Sequence, residues 1–214
     1  MNVMEDQASA RLSQDFLSRL ELPPQKAKVP FLIAIIGLVG SGRTIVAKAI
    51  VEKIDGAVLV QANSARFLLR EAATTWGDNV RRVLKIVAEN LLSQGYGVVF
   101  DGASADVEDR QNISEIAEKT GAKVFYVRII IDPEIAKARE QKKYDNPNWL
   151  SNFEDFRVST TDAMLQNIND RAPLHRDLDS SQISGLIGEI NNNGMVEELD
   201  QQVDTVVQKI KESP

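Results

Sequence analysis

Cysteine is absent from all 214 residues. That excludes a disulfide, a thiolate nucleophile and a zinc–thiolate site. Histidine occurs once, as His175, so a multi-histidine metal centre is excluded as well. Positive charge is not in excess. Lys and Arg number 25 against 31 Asp and Glu, a net charge of -6. Nothing global therefore draws the chain to duplex nucleic acid or an anionic membrane, although a local basic groove stays open. A long apolar run is missing too: Val29–Val39 is too short to span a bilayer and is broken by Gly37. The opening MNVMEDQASA is polar and acidic, unlike a signal peptide, so the expectation is a cytoplasmic protein without a membrane partner. What remains is an ordinary soluble mix, 43% hydrophobic and 26% charged. The length suits one domain that buries roughly 70% of its unfolded surface.

The most informative stretch is Val29–Ile50, VPFLIAIIGLVGSGRTIVAKAI. Phe31 to Ile36 is a β-branched and apolar run between Pro30 and Gly37, the pattern of a strand buried in a parallel sheet. A turn of Gly37, Leu38, Val39, Gly40, Ser41 and Gly42 follows. Arg43 and Thr44 then open a run with helical spacing. Glycines let a backbone approach an anion with its N–H groups inward, and the helix start adds partial positive charge. The spacing matches G-x-x-x-x-G-K-[S/T] at Gly37, Gly42 and Thr44, with Arg43 in place of lysine. Arginine keeps the charge but is planar and bulkier. The loop from Val39 through Thr44, with Ile45 beside it, is thus a candidate nucleotide cradle; the plainer alternative is a close-packed turn.

The rest of the chain alternates. Residues 5–20 carry an apolar stripe at Ala8, Leu12, Phe16 and Leu20, ended by Pro23-Pro24 and a polar linker to residue 28. Strands are expected at Ala57–Val60, Val98–Gly102 and Lys123–Ile131, and a fifth at Leu186–Ile190. Helices are expected after Asn63 or Ser64 as a cap, and over Asn79–Ser93, Asp106–Thr120, from Pro133 onward, Val158–Ile168 and Met195–Ile210. Short links between alternating elements predict an α/β fold, a parallel sheet covered on both faces. The polar, aromatic-dotted segment from about 142 to 157 reads as a mobile lid. Arg171–Ser181 is polar and contains Pro173.

Strand ends form the ligand edge of such a sheet, so Asp101 should meet the glycine turn. Thr44 and Asp101 are candidates for holding Mg²⁺, and Asp101 also for acting on a substrate hydroxyl. Asn63 and Arg66 sit at the second strand's end and face an acceptor; their alternatives are a helix cap and a solvated charge. Arg139, Lys142 and Lys143 precede the lid, where a cation can close over a transferring phosphoryl group, or simply line a solvated face. Trp76 and Trp149 can stack on a base or anchor their own loops. His175, in a polar, arginine-rich stretch, reads as a surface histidine, with a substrate contact as the alternative.

Taken together, GLVGSGRT, then N-x-x-R at Asn63 and Arg66, then VVFDGA and VFYVRIIIDPEIAKARE resemble the small AAA-type P-loop kinases, over about residues 30–143. The N-x-x-R spacing is similar to that of the polynucleotide kinase and zeta-toxin group, whose aspartate stands where this chain has Asn63. The ending INNNGMVEELDQQV is similar to the tail of dephospho-coenzyme A kinase-like proteins. The resemblance implies a three-layer fold with a five-stranded parallel sheet, ATP and Mg²⁺, and γ-phosphoryl transfer to a nucleoside, nucleotide or polynucleotide end. It implies catalytic roles at Arg43, Asp101, Arg139 and Asn63, with Asp101 standing in as base, and acceptor contacts at Arg66 and Asn63. The rival expectation is a pseudokinase or nucleotide sensor, favoured by Arg43 and Asn63. A protein partner or homo-oligomer through the N-terminal helix is a further expectation.

Overall fold

A computed structural model describes residues 3–75, 78–102, 105–146, 153, 160–194 and 196–213. Its centre is β1 (Phe31–Gly37), whose residues Leu32 to Ile36 are wholly buried. Side chains alternate across a strand. Leu32, Ala34 and Ile36 therefore enter one core, and Ile33 and Ile35 enter the other. A strand apolar on both faces belongs in the middle of a sheet. β1 is indeed the central strand of five, in the order β2-β3-β1-β4-β5, with β2 (Ala57–Gln61), β3 (Gly97–Asp101), β4 (Lys123–Ile130) and β5 (Leu186–Asn191) all paired in parallel.

On one face lie α1 (Val3–Ser18), α3 (Ala62–Glu71), α4 (Asp78–Ser93) and α5 (Val107–Thr120). On the other lie α2 (Arg43–Lys53) and α8 (Val196–Glu212). α4 buries Val80, Val83, Leu84, Val87 and Leu91, the stripe its spacing predicts. α8 buries Leu199, Val203, Val206, Val207 and Ile210, likewise. The three-layer fold and five-stranded sheet expected from the sequence are present.

Three local expectations change. In α1 the buried face is Ser9, Leu12, Ser13 and Phe16, while Ala8 is exposed. The serines permit a close approach to α4, where Ser13 Oγ lies 3.4 Å from the Val83 carbonyl. Neither Asn63 nor Ser64 caps α3. β2 runs straight into the helix, with extended Gln61 at the N-cap and both residues inside the first turn.

The third change is the largest. α7 (Thr161–Arg176) continues through Pro173, beyond the expected helix over Val158–Ile168. Proline costs a helix one hydrogen bond and crowds the preceding turn. Here it stands in the last turn, and the end is held by Arg128, whose Nη2 donates to the His175 carbonyl at 2.8 Å. α6 (Pro133–Tyr144) begins as expected, with Asp132 accepting from the Glu134 N–H at 2.7 Å. Trp76, Trp149, Met195 and most of the expected lid lie outside the described residues. Among the described residues, no helix is long and apolar enough to cross a membrane.

Candidate active site

The glycine turn leaves β1 at the sheet's C-terminal edge and enters α2. Gly40 and Gly42 have φ of 79° and 87°, which side chains with a Cβ rarely adopt. Space forbids a Cβ as well. At Gly42 it would lie 2.5 Å from Asn192 Nδ2, and at Gly40 2.6 Å from the Ala136 carbonyl of α6. The Ser41 N–H donates to the Leu38 carbonyl at 3.0 Å, closing the turn. The first N–H groups of α2 have no carbonyl of their own helix to reach. The result is a glycine bend that runs directly into a helix N-terminus, where partial positive charge suits an anion. Ile45, at the loop's far end, is largely exposed.

Asn192, just past β5, donates from Nδ2 to the Ser41 carbonyl at 2.7 Å and is itself buried. Leu38 packs with Ala136 of α6 and Ile168 of α7. The loop is thus clamped from both sides by elements far away in sequence.

β3 delivers Asp101 to the same edge. Thr44 Oγ1 donates to Asp101 Oδ2 at 2.6 Å, and Arg43 Nε lies 3.5 Å from Asp101 Oδ1. Asp101 is buried. Mg²⁺ characteristically takes one or two protein oxygens and fills its octahedron with phosphate and water oxygens. The Thr44 hydroxyl and Asp101 carboxylate supply oxygens of that kind beside the loop, so this pair fits such an ion. Among the described residues no cluster of three or more His, Asp or Glu suits a self-sufficient metal site.

Beyond the loop opens a cavity of about 450 Å³. Gly37, Leu38, Val39 and Arg43 form its loop side. Arg66 enters from α3, Arg81 and Lys85 from α4, Asp109 from α5 and Arg171 and His175 from α7. Arg66 Nη1 donates to Asn63 Oδ1 at 2.9 Å, so the two expected acceptor residues are joined. Burial, and then the charge of Arg43, push the Arg66 guanidinium below its usual value. Arg171 pairs with Asp106, the residue just before α5. Arg139, on α6, is not among the residues lining this cavity.

His175 is not a surface histidine. It is half-buried in the cavity wall, and burial, with Arg43, Arg171 and Arg128 nearby, lowers its pKa from 6.5 to about 4. It is therefore neutral at physiological pH. The sequence hides Arg171 and the setting of His175, because Pro173 suggests that the helix has ended. Asn192 gives only one signal, an Asn-Gly turn signature nearby, and that signature says nothing about the loop it braces.

Comparison with known proteins bears on the family and the fold. Residues 32–170 match the family model described as AAA domain. A bullfrog (Aquarana catesbeiana) 6-phosphofructo-2-kinase/fructose-2,6-bisphosphatase is 28% identical over 185 residues, which cover 74% of this chain. The matched part is 38% of that protein, so the chain spans about two fifths of this relative's length. Among solved structures, a gluconokinase from Sinorhizobium meliloti superposes with a TM-score of 0.56 at 12% identity, over 85% of this chain and 93% of that one. A presumptive kinase from Chloroflexus aurantiacus gives 0.59 at 15% identity, over 86% and 98%. The chain belongs to the AAA domain family, and its fold is that of the small P-loop kinases.

Proposed function

We propose that this protein is a phosphotransferase that binds ATP with Mg²⁺ and moves the γ-phosphoryl group to a small acceptor, a nucleoside, nucleotide or polynucleotide end. One observation carries the reading: the glycine bend opens onto a cavity walled by Arg43, Arg66 and Arg171, with Asp101 held at its edge by Thr44. In this reading the N–H groups of Val39–Thr44 and Arg43 hold the β- and γ-phosphates. Thr44 and Asp101 hold Mg²⁺, which neutralises phosphate charge. Arg66 and Asn63 place the acceptor. Its hydroxyl oxygen bonds to the γ-phosphorus as the bond to the β-bridging oxygen breaks; ADP leaves, and the hydroxyl proton passes to Asp101 or to water. Positioning and electrostatics supply the rate, with no covalent intermediate. Arg139, on α6, adds a further cation to the charge clamp. Residues 1–28 form an N-terminal helix and linker on the kinase-like domain of residues 29–214, and the protein acts in the cytoplasm.

A second reading, nucleotide sensing without turnover, is favoured by two observations. Arg43 lies within ion-pair distance of Asp101, and the residue bonded to Arg66 is an amide rather than an acid. Titration calorimetry with ATP, with and without Mg²⁺, tests binding. Release of ADP across nucleosides, nucleotides and short oligonucleotides separates the two readings. ATP binding that no acceptor converts to ADP release would favour the sensor; no binding would sink both.

A further inference from the structure

Phe153 joins the N-terminal helix to α3. Its ring centre lies 5.2 Å from that of Phe16 on α1 and 6.2 Å from that of Phe67 on α3, edge to face in both pairs. This is the favoured geometry for aromatic rings. Ser64 Oγ, on α3, donates to the Phe153 carbonyl at 2.8 Å. Arg19, just past the end of α1, covers the cluster. Its guanidinium carbon stands 5.8 Å from the centre of the Phe67 ring and 5.6 Å from that of Phe153, within cation–π reach. The same guanidinium pairs with Asp15 of α1 and with Glu71, the last residue of α3, each at 3.1 Å. α1 is thus tied to both ends of α3, through Phe153 near the start and through Arg19 at the finish.

The tie bears on the cavity through helix geometry. Ser64 and Phe67, the α3 residues that meet Phe153, share one helical turn with Asn63 and Arg66. Arg66 lines the cavity and is bonded to Asn63. Successive residues on a helix are about 100° apart, so a roll of α3 that shifts Phe67 shifts Arg66 equally. The other side of α3 buries Ala65, Leu68 and Leu69 in the core, and the aromatic contact fixes the outer side. Neither α1 nor Phe153 is among the residues lining the cavity. Their effect on it must pass through α3. We infer that Phe153 and Arg19 are positioning residues: they fasten α3 to the N-terminal helix and so set the turn that presents Arg66 to the cavity. α1 is then a working support of the site rather than an added cover. The inference rests on the phosphotransferase reading for its effect on turnover, and on packing alone for its effect on α3.

Two readouts on the full chain test this. The first is amide hydrogen exchange, which reports local opening element by element. Phe153→Ala and Arg19→Gln should each speed exchange across α3 at least tenfold and leave α8, on the opposite face of the sheet, within about threefold. Phe153→Tyr keeps the ring and should exchange like the native protein. Arg19 is exposed, so Arg19→Gln leaves the core intact and carries the test should Phe153→Ala fail to fold. The second readout is kinetic. For whichever nucleoside, nucleotide or short oligonucleotide releases ADP from ATP, both variants should raise its KM at least fivefold. The Kd of a non-hydrolysable ATP analogue with Mg²⁺ should stay within about threefold, and Phe153→Tyr should restore the KM. Native exchange of α3 in both variants would overturn the inference. So would faster exchange with an unchanged KM, which would leave the cluster as packing only. Absence of ADP release from the native protein with every compound would instead defeat the phosphotransferase reading, and exchange across α3 would still decide whether α1 holds that helix.

Discussion

The Asn192 amide donates to the Ser41 carbonyl at 2.7 Å, and this contact joins two segments 151 positions apart. It comes from the turn after the edge strand β5 and meets the middle of the glycine bend. Both residues are buried, so water cannot replace the bond once it is lost. A buried hydrogen bond whose partner is left unsatisfied costs about 1–3 kcal/mol. Asn192→Ala should therefore lower stability by about that amount. If the bend serves as a phosphate cradle, the variant should also weaken ATP roughly tenfold by calorimetry. Unchanged ATP affinity with lowered stability would reduce Asn192 to a packing residue.

Gly42 offers a sharper cut at the same place. Its φ is 87°, and a methyl group there would stand 2.5 Å from Asn192 Nδ2, so alanine would be strained and would push Asn192 off its bond to Ser41. A non-glycine residue in this backbone region costs roughly 1–2 kcal/mol before any clash. Gly42→Ala should abolish ATP binding while circular dichroism still shows the α/β fold, because the sheet and its two cores lie below the loop. Retained ATP affinity would mean that the bend is not the nucleotide site.

The Thr44–Asp101 pair makes a separate claim, about the metal. Thr44→Val removes the hydroxyl and keeps the shape. ATP should still bind, but the gain in affinity that Mg²⁺ brings should shrink at least tenfold, as read from titrations with and without the ion. A Mg²⁺ effect that survives in full would remove Thr44 from the metal site.

Much of this is legible in the chain. β1 shows itself because an unbroken apolar run has only one home in a sheet, the middle, and the glycine spacing after it fixes where an anion can sit. α4 and α8 show themselves through stripes that two turns of helix repeat. What stays hidden depends on contacts distant in sequence. Ala8 continues the α1 stripe on paper, yet Ser9 is the buried residue, since a spacing of four drifts around a helix and the true face is Ser9, Leu12, Ser13 and Phe16. Asn63 looks like a cap until β2 is seen to enter α3 without a loop. Pro173 reads as a helix end because its local cost is real; tertiary support from Arg128 outweighs it, and that support carries Arg171 and His175 into the cavity.

Arg43 divides the enzyme from the sensor. Its Nε is 3.5 Å from Asp101, so the charge that would follow the phosphates is partly committed to a carboxylate. Lysine offers a compact charge on a flexible stem that tracks the β- and γ-phosphates. Arg43→Lys should raise the rate of ADP release several-fold if the native protein is a catalyst working below its capacity. No release from either form, with ATP bound by both, would support the sensor.

His175 gives the chain a pH dependence that is separable from acceptor binding. Its pKa in the folded protein is about 4 against 6.5 ordinarily, lowered by burial and then by Arg43, Arg171 and Arg128, with Asp106 opposing. The unfolded chain therefore binds more protons between these values, and stability must fall as pH drops through that window. The slope from one such group is at most about 1.4 kcal/mol per pH unit, halves at each of the two values, 6.5 and about 4, and fades beyond them. His175→Gln keeps a polar side chain but cannot titrate. Denaturant midpoints measured from pH 8 down to pH 4 should fall less steeply for the variant than for the native protein, with the two curves running parallel only well above 6.5. Equal slopes throughout would mean that His175 is solvated and free to take its proton, and that the α7 wall of the cavity stands open to water.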